Sequence, residues 1–473
     1  MLMTFLDDYE PRPGKLVELR VPDEVIARAR HAPVHPVPPS PVQENHLLRR
    51  LANIAAGRPQ APWVGLAFEV QGAADTEALA AALKKWVLRH DTVLTWFSAE
   101  RSADGGEAAG TSLVRHMVDA SDVDIRPVTI GTYDSTDALR DHLRAQFQGS
   151  TDPLRWPPFT AGVVLRESSS TVYFAIDHAH SDAYSVVLVF HELRTLYQAE
   201  VDGIEASLPA AGSYIEAGAE ERERAAAIQA DAPEVQSWIT FLLSGPMPSF
   251  PLDLGVPPGE SRPSRAFELD LLTGAEADAF AKACREHGAG FSAGVMAALG
   301  FLHRELGGRA EYRGLSVVHT RNDSRWHTAQ GWFITLVPVT FPLMEEGRQL
   351  TRAELLDVAG TAFRSACKLA RVSPLRVAEL AGIPLQGDDS SVLPIVSYID
   401  GRPVPGSRDW DAAECNGLAD SSPSDEVLMW VNRRWDRTYV KVTYPDTPEA
   451  AANVPHFFGR FREVLREIAE AGM

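Results

Sequence analysis

Residues 171–197 read TVYFAIDHAHSDAYSVVLVFHELRTLY, and the order of their properties sets the fold class. Thr171–Asp177 is an apolar, β-branched run of strand length, and Ser185–Tyr197 is an apolar run of helical length. Between them stands the polar cluster Asp177-His178-Ala179-His180-Ser181-Asp182-Ala183. A buried strand opening into a loop and re-entering as a helix is an α/β element. Its rigid ends hold whatever side chains the loop exposes, which makes the cluster the first place to look for chemistry. Upstream, Thr160–Leu165 is expected to pair with Thr171–Asp177 as a hairpin across Glu167-Ser168-Ser169-Ser170.

The same mixture extends in both directions. Strands are expected at 15–21, 63–70, 93–97 and 112–118, and helices at 22–30, 42–56 and after Asp75 or Thr76, where Leu79, Leu83, Trp86 and Val87 share a face. Glu100–Gly110 reads as a hairpin loop and the Ala- and charge-rich 216–236 as an exposed helical connection. Further on, helices are expected near 273–288, 292–305, 352–369 and 448–471, with strands near 313–320, 332–342, 393–399, 426–432 and 437–444. This divides the chain into an α/β lobe over 1–210 and a second over 211–473.

Composition agrees with such a chain and excludes others. With 473 residues and 45% hydrophobic content the chain can bury real cores. No window is apolar enough for a membrane span, and the N-terminus lacks the basic and apolar regions of a signal peptide, so the expected compartment is the cytoplasm. Cys284, Cys367 and Cys415 are scattered, as expected of free thiols. A net charge of −19 argues against nucleic acid as partner.

Three readings of the cluster compete. His-x-His-x-Asp (His178, His180, Asp182) matches the first three ligands of a binuclear zinc hydrolase, but Ala183 stands where the next ligand belongs. In a second reading one imidazole is a general base, since its ordinary pKa of about 6.5 suits proton removal near neutral pH. In a third, the two histidines merely terminate a strand.

The surrounding chain bears on the choice. The cluster resembles the His-His-x-x-x-Asp-Gly motif of nonribosomal peptide condensation domains and related acyltransferases of the chloramphenicol acetyltransferase-like superfamily. His178 falls on the second histidine and Asp182 on the aspartate, while Asp177 and Ala183 replace the first histidine and the glycine. Pro157-Pro158-Phe159, Ser40 with Gln43, Arg89-His90-Asp91, Ser213-Tyr214 and Gln330-Gly331-Trp332-Phe333-Ile334-Thr335 resemble further signatures of that family, in order. Met429-Trp430-Val431-Asn432-Arg433 is similar to a strand of the mycobacterial polyketide-associated acyltransferases, which are free-standing.

The resemblance implies two acetyltransferase-like lobes in a V-shaped pseudodimer with a central tunnel. It implies His178 as the catalytic base and Asp182 as a structural carboxylate paired with Arg321, with Asp177 supporting the loop. His180, Ala183, Tyr184, Ser185, Trp332, Phe333, Thr335 and Trp430 become tunnel candidates, and no metal is called for. The implied reaction moves an acyl group from a phosphopantetheine thioester, on a carrier protein acting in trans or on CoA, to a small alcohol or amine. No bound cofactor is implied, and the chain is expected to be a monomer. The departures at Asp177, Ala183 and Thr335, the last standing where the family has an asparagine, leave a non-catalytic recruitment module as an alternative. Carrier proteins and CoA are anionic, so a docking face must be locally basic, with Arg49-Arg50 and Arg433-Arg434 as candidates.

Overall fold

A computed structural model describes residues 2–57, 63–101, 111–383 and 394–471. The expected loop Glu100–Gly110 falls almost wholly outside the described residues, as does the first residue of the strand expected at 393–399. The chain forms two compact mixed α/β units. Unit 1 comprises Met1–Glu223, Arg321–Phe333 and Val404–Ser421; unit 2 comprises Arg224–Thr320, Ile334–Pro403 and Ser422–Met473. Two segments from the second half of the sequence therefore belong to unit 1, and the first of them supplies part of the site.

Unit 1 is built on a seven-stranded sheet in the order Leu2–Phe5, Asn416–Ala419, Trp63–Gln71, Ser169–Asp177, Phe159–Leu165, Gly14–Arg20, Arg126–Tyr133. Ser169–Asp177 is its middle strand, antiparallel to both neighbours. The apolar run is continuous because both faces are covered. Val172, Phe174 and Ile176 pack with Trp86 and Phe190, whereas Tyr173 and Ala175 pack on the other side with Leu139, Leu143 and Phe147. Gly162, opposite Tyr173, leaves room for the phenol ring, which a Cβ would meet at 2.3 Å.

Helix starts in unit 1 are set by side chains. Ser40 forms a reciprocal capping box with Gln43 ahead of Pro41–Ala55, Asp75 caps Thr76–Arg89, and Asp182 caps Ala183–Asp202, which Gly203 ends in the left-handed conformation. The strand expected from Val93 begins at Thr95, because Asp91–Leu94 makes a 3-10 turn whose amides return to His90 and Thr92.

Unit 2 carries a six-stranded sheet ordered Ile334–Pro342, Glu311–His319, Ile395–Asp400, Leu428–Arg433, Arg437–Pro445, Ser264–Thr273. Its core is formed by Gly274–Glu286, Phe291–Glu305, Arg352–Lys368 and Pro448–Ala471, with Phe280, Phe457, Phe458 and Phe461 fully buried. The expected connection over 216–236 is two helices, Tyr214–Ala227 and Pro233–Leu243, the second opened by its proline. The strand expected from residue 332 begins at Ile334. The Phe333 N–H is given to Asp182 Oδ2 (2.9 Å), leaving Trp332 and Phe333 outside the sheet.

Candidate active site

The middle strand of unit 1 ends at Asp177, whose carboxylate turns back on the chain. Oδ1 accepts from Ala179 N at 2.7 Å and so caps the 3-10 turn His178–His180. The side chain is fully buried, and His46 Nε2 approaches Oδ1 to 3.3 Å from helix Pro41–Ala55. A buried carboxylate is costly without a partner, and the His46 imidazole supplies one.

His178 is the half-buried member of the turn. Its Nδ1 is buried with no hydrogen-bond partner among the described residues, and its ring lies 4.0 Å, centroid to centroid, from the Trp332 indole. The His46 ring is 6.5 Å from that of His178 and meets Trp332 edge-on at 5.2 Å. Burial and then the charge of His46 hold the His178 imidazole below its ordinary pKa, against smaller opposing effects of its own backbone, Asp177 and Asp182. His178 is therefore neutral near pH 7 and able to accept a proton.

His180 points elsewhere. It is fully buried, stacks on Phe97 at 5.4 Å, and engages Thr92 O at 2.9 Å through Nδ1. Burial and the nearby Arg115 guanidinium push its pKa down to about 3, so it is a neutral core group. With no exposed surface, it offers a substrate nothing to touch.

Asp182 and Arg321 meet, both buried, with Nη2 3.4 Å from Oδ1. The carboxylate also accepts from Ser185 N (2.7 Å) and Phe333 N (2.9 Å), while Arg321 Nη1 donates to Trp326 O (2.6 Å) and Ala329 O (2.8 Å). Arg321 thus clamps the excursion Arg321–Phe333 to the start of helix Ala183–Asp202. Ser185 reinforces the join: its Oγ donates to Gly331 O (2.8 Å), and its own carbonyl accepts from Gln330 Nε2 (2.8 Å). The arginine plane lies over Phe333 and Tyr184, at 4.1 and 5.0 Å. Gly331 has φ +153°, and a Cβ there would meet the Tyr214 ring at 2.2 Å.

The other signature residues brace this turn. Gln43 Nε2 donates to Ala179 O (2.8 Å), while its Oε1 accepts from Arg115 (2.9 Å). Tyr214 OH donates to Trp332 O (3.1 Å) and lies 2.9 Å from Ser40 Oγ. Burial would raise the Glu192 carboxyl, but hydrogen bonds from His90 and Arg89 outweigh it and hold the group below the usual range. Asp91 accepts from Tyr214 N and from Ser213 Oγ, fixing the start of helix Tyr214–Ala227.

Of the sequence-derived residues, unit 1 therefore brings together Asp177, His178, Asp182, Tyr184, Ser185, Arg321, Trp332 and Phe333. Ala183 is exposed at the helix start. Thr335 and Trp430 are half-buried residues of unit 2, on strands Ile334–Pro342 and Leu428–Arg433. His178, His180 and Asp182 do not converge as a zinc site would require, since they face Trp332, Thr92 and Arg321. Among the described residues no three His, Cys, Asp or Glu side chains gather with metal-ligand geometry. Arg433 and Arg434 are not on a docking surface: they are 5% and 7% exposed, and Arg433 pairs with Asp278. Arg49 is exposed and Arg50 half-buried. A separate cleft of about 630 Å³ in unit 1, lined in part by Glu18, His142, Gln146 and Trp156, contains no residue of the motif loop. The residue that sequence reading missed is His46. It shares the buried face of its helix with Gln43 and Leu47, and the signal was a buried acid, Asp177, in need of a partner.

Along nearly its whole length the chain is similar to known proteins. The condensation-domain family model covers residues 37–367, and the chain belongs to that family. Among curated proteins it is 31% identical to the 2'-acyl-2-O-sulfo-trehalose (hydroxy)phthioceranyltransferase PapA1 of Mycobacterium tuberculosis, over 99% of this chain and 89% of that protein. It is 28% identical to the acyltransferase PapA3 of the same species, over 99% and 96%. Among solved structures, a PapA2 acyl transferase superposes with a TM-score of 0.88 at 27% identity, covering 99% of this chain and all of that one. The condensation domain of the Monacolin K polyketide synthase MokA shares the fold, with a TM-score of 0.73 at 16% identity over 92% and 98%. Within the family the chain is an acyltransferase of the PapA kind.

Proposed function

We propose that this acyltransferase moves an acyl group from a thioester to a hydroxyl of a small acceptor, forming an ester, with His178 as general base. The observation that carries the reading is the state of His178. It is the accessible imidazole of the motif turn, and its pKa is held below the ordinary value. With Nδ1 buried, Nε2 is the nitrogen left for a substrate.

In this reading the acceptor O–H gives its proton to His178 Nε2 as the oxygen attacks the thioester carbonyl. The tetrahedral intermediate collapses with cleavage of the C–S bond, and the proton on His178 passes to the departing thiolate. No acyl-enzyme is needed when donor and acceptor are held in line. Asp182 and Arg321 fix the loop and do not touch the reacting atoms. The donor is a phosphopantetheine thioester, on CoA or on a carrier protein acting in trans. A hydroxyl acceptor is favoured over an amine because PapA1 and the trehalose-2-sulfate acyltransferase PapA2 are both named for acylating trehalose-based sugars.

The test is mass spectrometry after incubation with a panel of acyl-CoAs or acylated carrier proteins, together with trehalose, trehalose-2-sulfate or an amine such as leucine. Ester product from the wild type and its loss in His178→Ala, with an unchanged melting temperature, is the expected result. Full activity in His178→Ala removes the base assignment, and product on the amine alone removes the acceptor assignment.

A further inference from the structure

We infer that His46 is a positioning residue for His178. It acts through Asp177 below the catalytic turn and through Trp332 beside it. The inference rests on the reading of His178 as the base.

Two contacts carry it. Asp177 Oδ1 caps Ala179 N at 2.7 Å and lies 3.3 Å from His46 Nε2, so the imidazole stands against the carboxylate that shapes the turn bearing His178. The indole of Trp332 lies 4.0 Å from the His178 ring, and the His46 ring abuts its edge at 5.2 Å. His46 is therefore in contact with both structures that set the orientation of His178, yet stands 6.5 Å from that ring, too far to exchange a proton with it directly. Helix Pro41–Ala55 fixes His46 in turn, because Gln43, one turn earlier on the same face, is bonded to Ala179 O at 2.8 Å. An acid stands at position 177, and a histidine from another part of the chain comes to meet it.

The charged groups acting on His178 are His46 from helix Pro41–Ala55 and Asp177 and Asp182 from its own loop. The excursion Arg321–Phe333 presents the Trp332 indole, its arginine being turned onto Asp182. The imidazole of His46 is one of the influences that hold His178 down, so without it His178 should titrate at higher pH and the acid limb of kcat/KM should move upward.

The experiment uses the full chain with the donor and acceptor that the wild type turns over. His46→Gln keeps a polar side chain beside Asp177 without a titrating group; His46→Ala removes both. His46→Gln is expected to keep its fold and shift the acid limb to higher pH. His46→Ala is expected to lose about ten- to hundredfold in kcat, the scale of a misplaced reacting group, with a smaller change in KM. Asp177→Asn added to His46→Ala needs no counter-charge and should recover melting temperature. An acid limb unmoved in His46→Gln, or a His46→Ala variant with wild-type kcat, overturns the inference. If His178→Ala stays active, the base reading fails instead, so the two failures are distinguishable.

Discussion

Replacing Arg321 by methionine tests how the site is held together. The variant keeps most of the side-chain length and apolar stem but removes the guanidinium. Asp182 is then left buried with the N–H groups of Ser185 (2.7 Å) and Phe333 (2.9 Å) but no cation, and the carbonyls of Trp326 and Ala329 lose their donor. Removing one partner of a buried ion pair costs about 3–5 kcal/mol. The orphaned carbonyls push toward the upper end of that range, and the retained N–H bonds toward the lower. For a unit of this size about 2–4 °C accompanies each kcal/mol, so a fall of about 6–20 °C in melting temperature is expected. The assay is thermal unfolding of wild type, Arg321→Met, Asp182→Asn and the double variant, read beside activity. The double variant should lie above the sum of the single losses, since each single change strands the other group. A fall below about 2 °C in Arg321→Met with activity abolished would refute the structural role and move Arg321 into the chemistry.

Other outcomes follow from the same contacts. Gly331→Ala places a methyl 2.2 Å from the Tyr214 ring at φ +153° and should lower both stability and activity, measured by urea unfolding and turnover. Gln43→Ala strips the donor from the buried Ala179 carbonyl and the acceptor from Arg115, costing about 1–3 kcal/mol in urea unfolding. His180 has a folded pKa of about 3 against 6.5 unfolded, so below pH 6.5 the unfolded chain binds the extra proton. Its contribution to stability is thus complete above pH 6.5 and lost as pH falls toward 3, at up to about 1.4 kcal/mol per pH unit. His180→Asn should flatten that slope in unfolding curves taken between pH 6.5 and 4. In the wild type, because His178 acts when neutral and titrates below its ordinary value, kcat/KM should hold to a pH below 6.5 before falling.

The elements legible in the sequence are those whose pattern is local. The strand expected at 171–177, which starts two residues earlier at Ser169, and the helix after it show their burial in an unbroken apolar run, and the cap at Asp75 is a short-range hydrogen bond. The Asp182–Arg321 pair was legible only through the family resemblance, being separated by 139 positions. His46 was not, because its partner Asp177 lies on a distant strand and nothing in the pattern of a 15-residue helix distinguishes a ligand of a buried acid from a core imidazole. Trp332 and Phe333 read as strand because aromatic residues favour sheets. The amide that would have joined the ladder is instead committed to Asp182. Strands Arg126–Tyr133 and Ser264–Thr273 were missed for a related reason: their residues are largely half-buried or exposed, so the alternation that marks a strand is weak.

The most direct test of the account is single-turnover acyl transfer by wild type and His178→Ala, followed by mass spectrometry across pH 5 to 8. The wild type is expected to form ester with an acid limb below pH 6.5, and His178→Ala to lose about 100-fold or more at every pH, in line with removal of a general base. A His178→Ala enzyme that retains the wild-type rate and the same acid limb would contradict it.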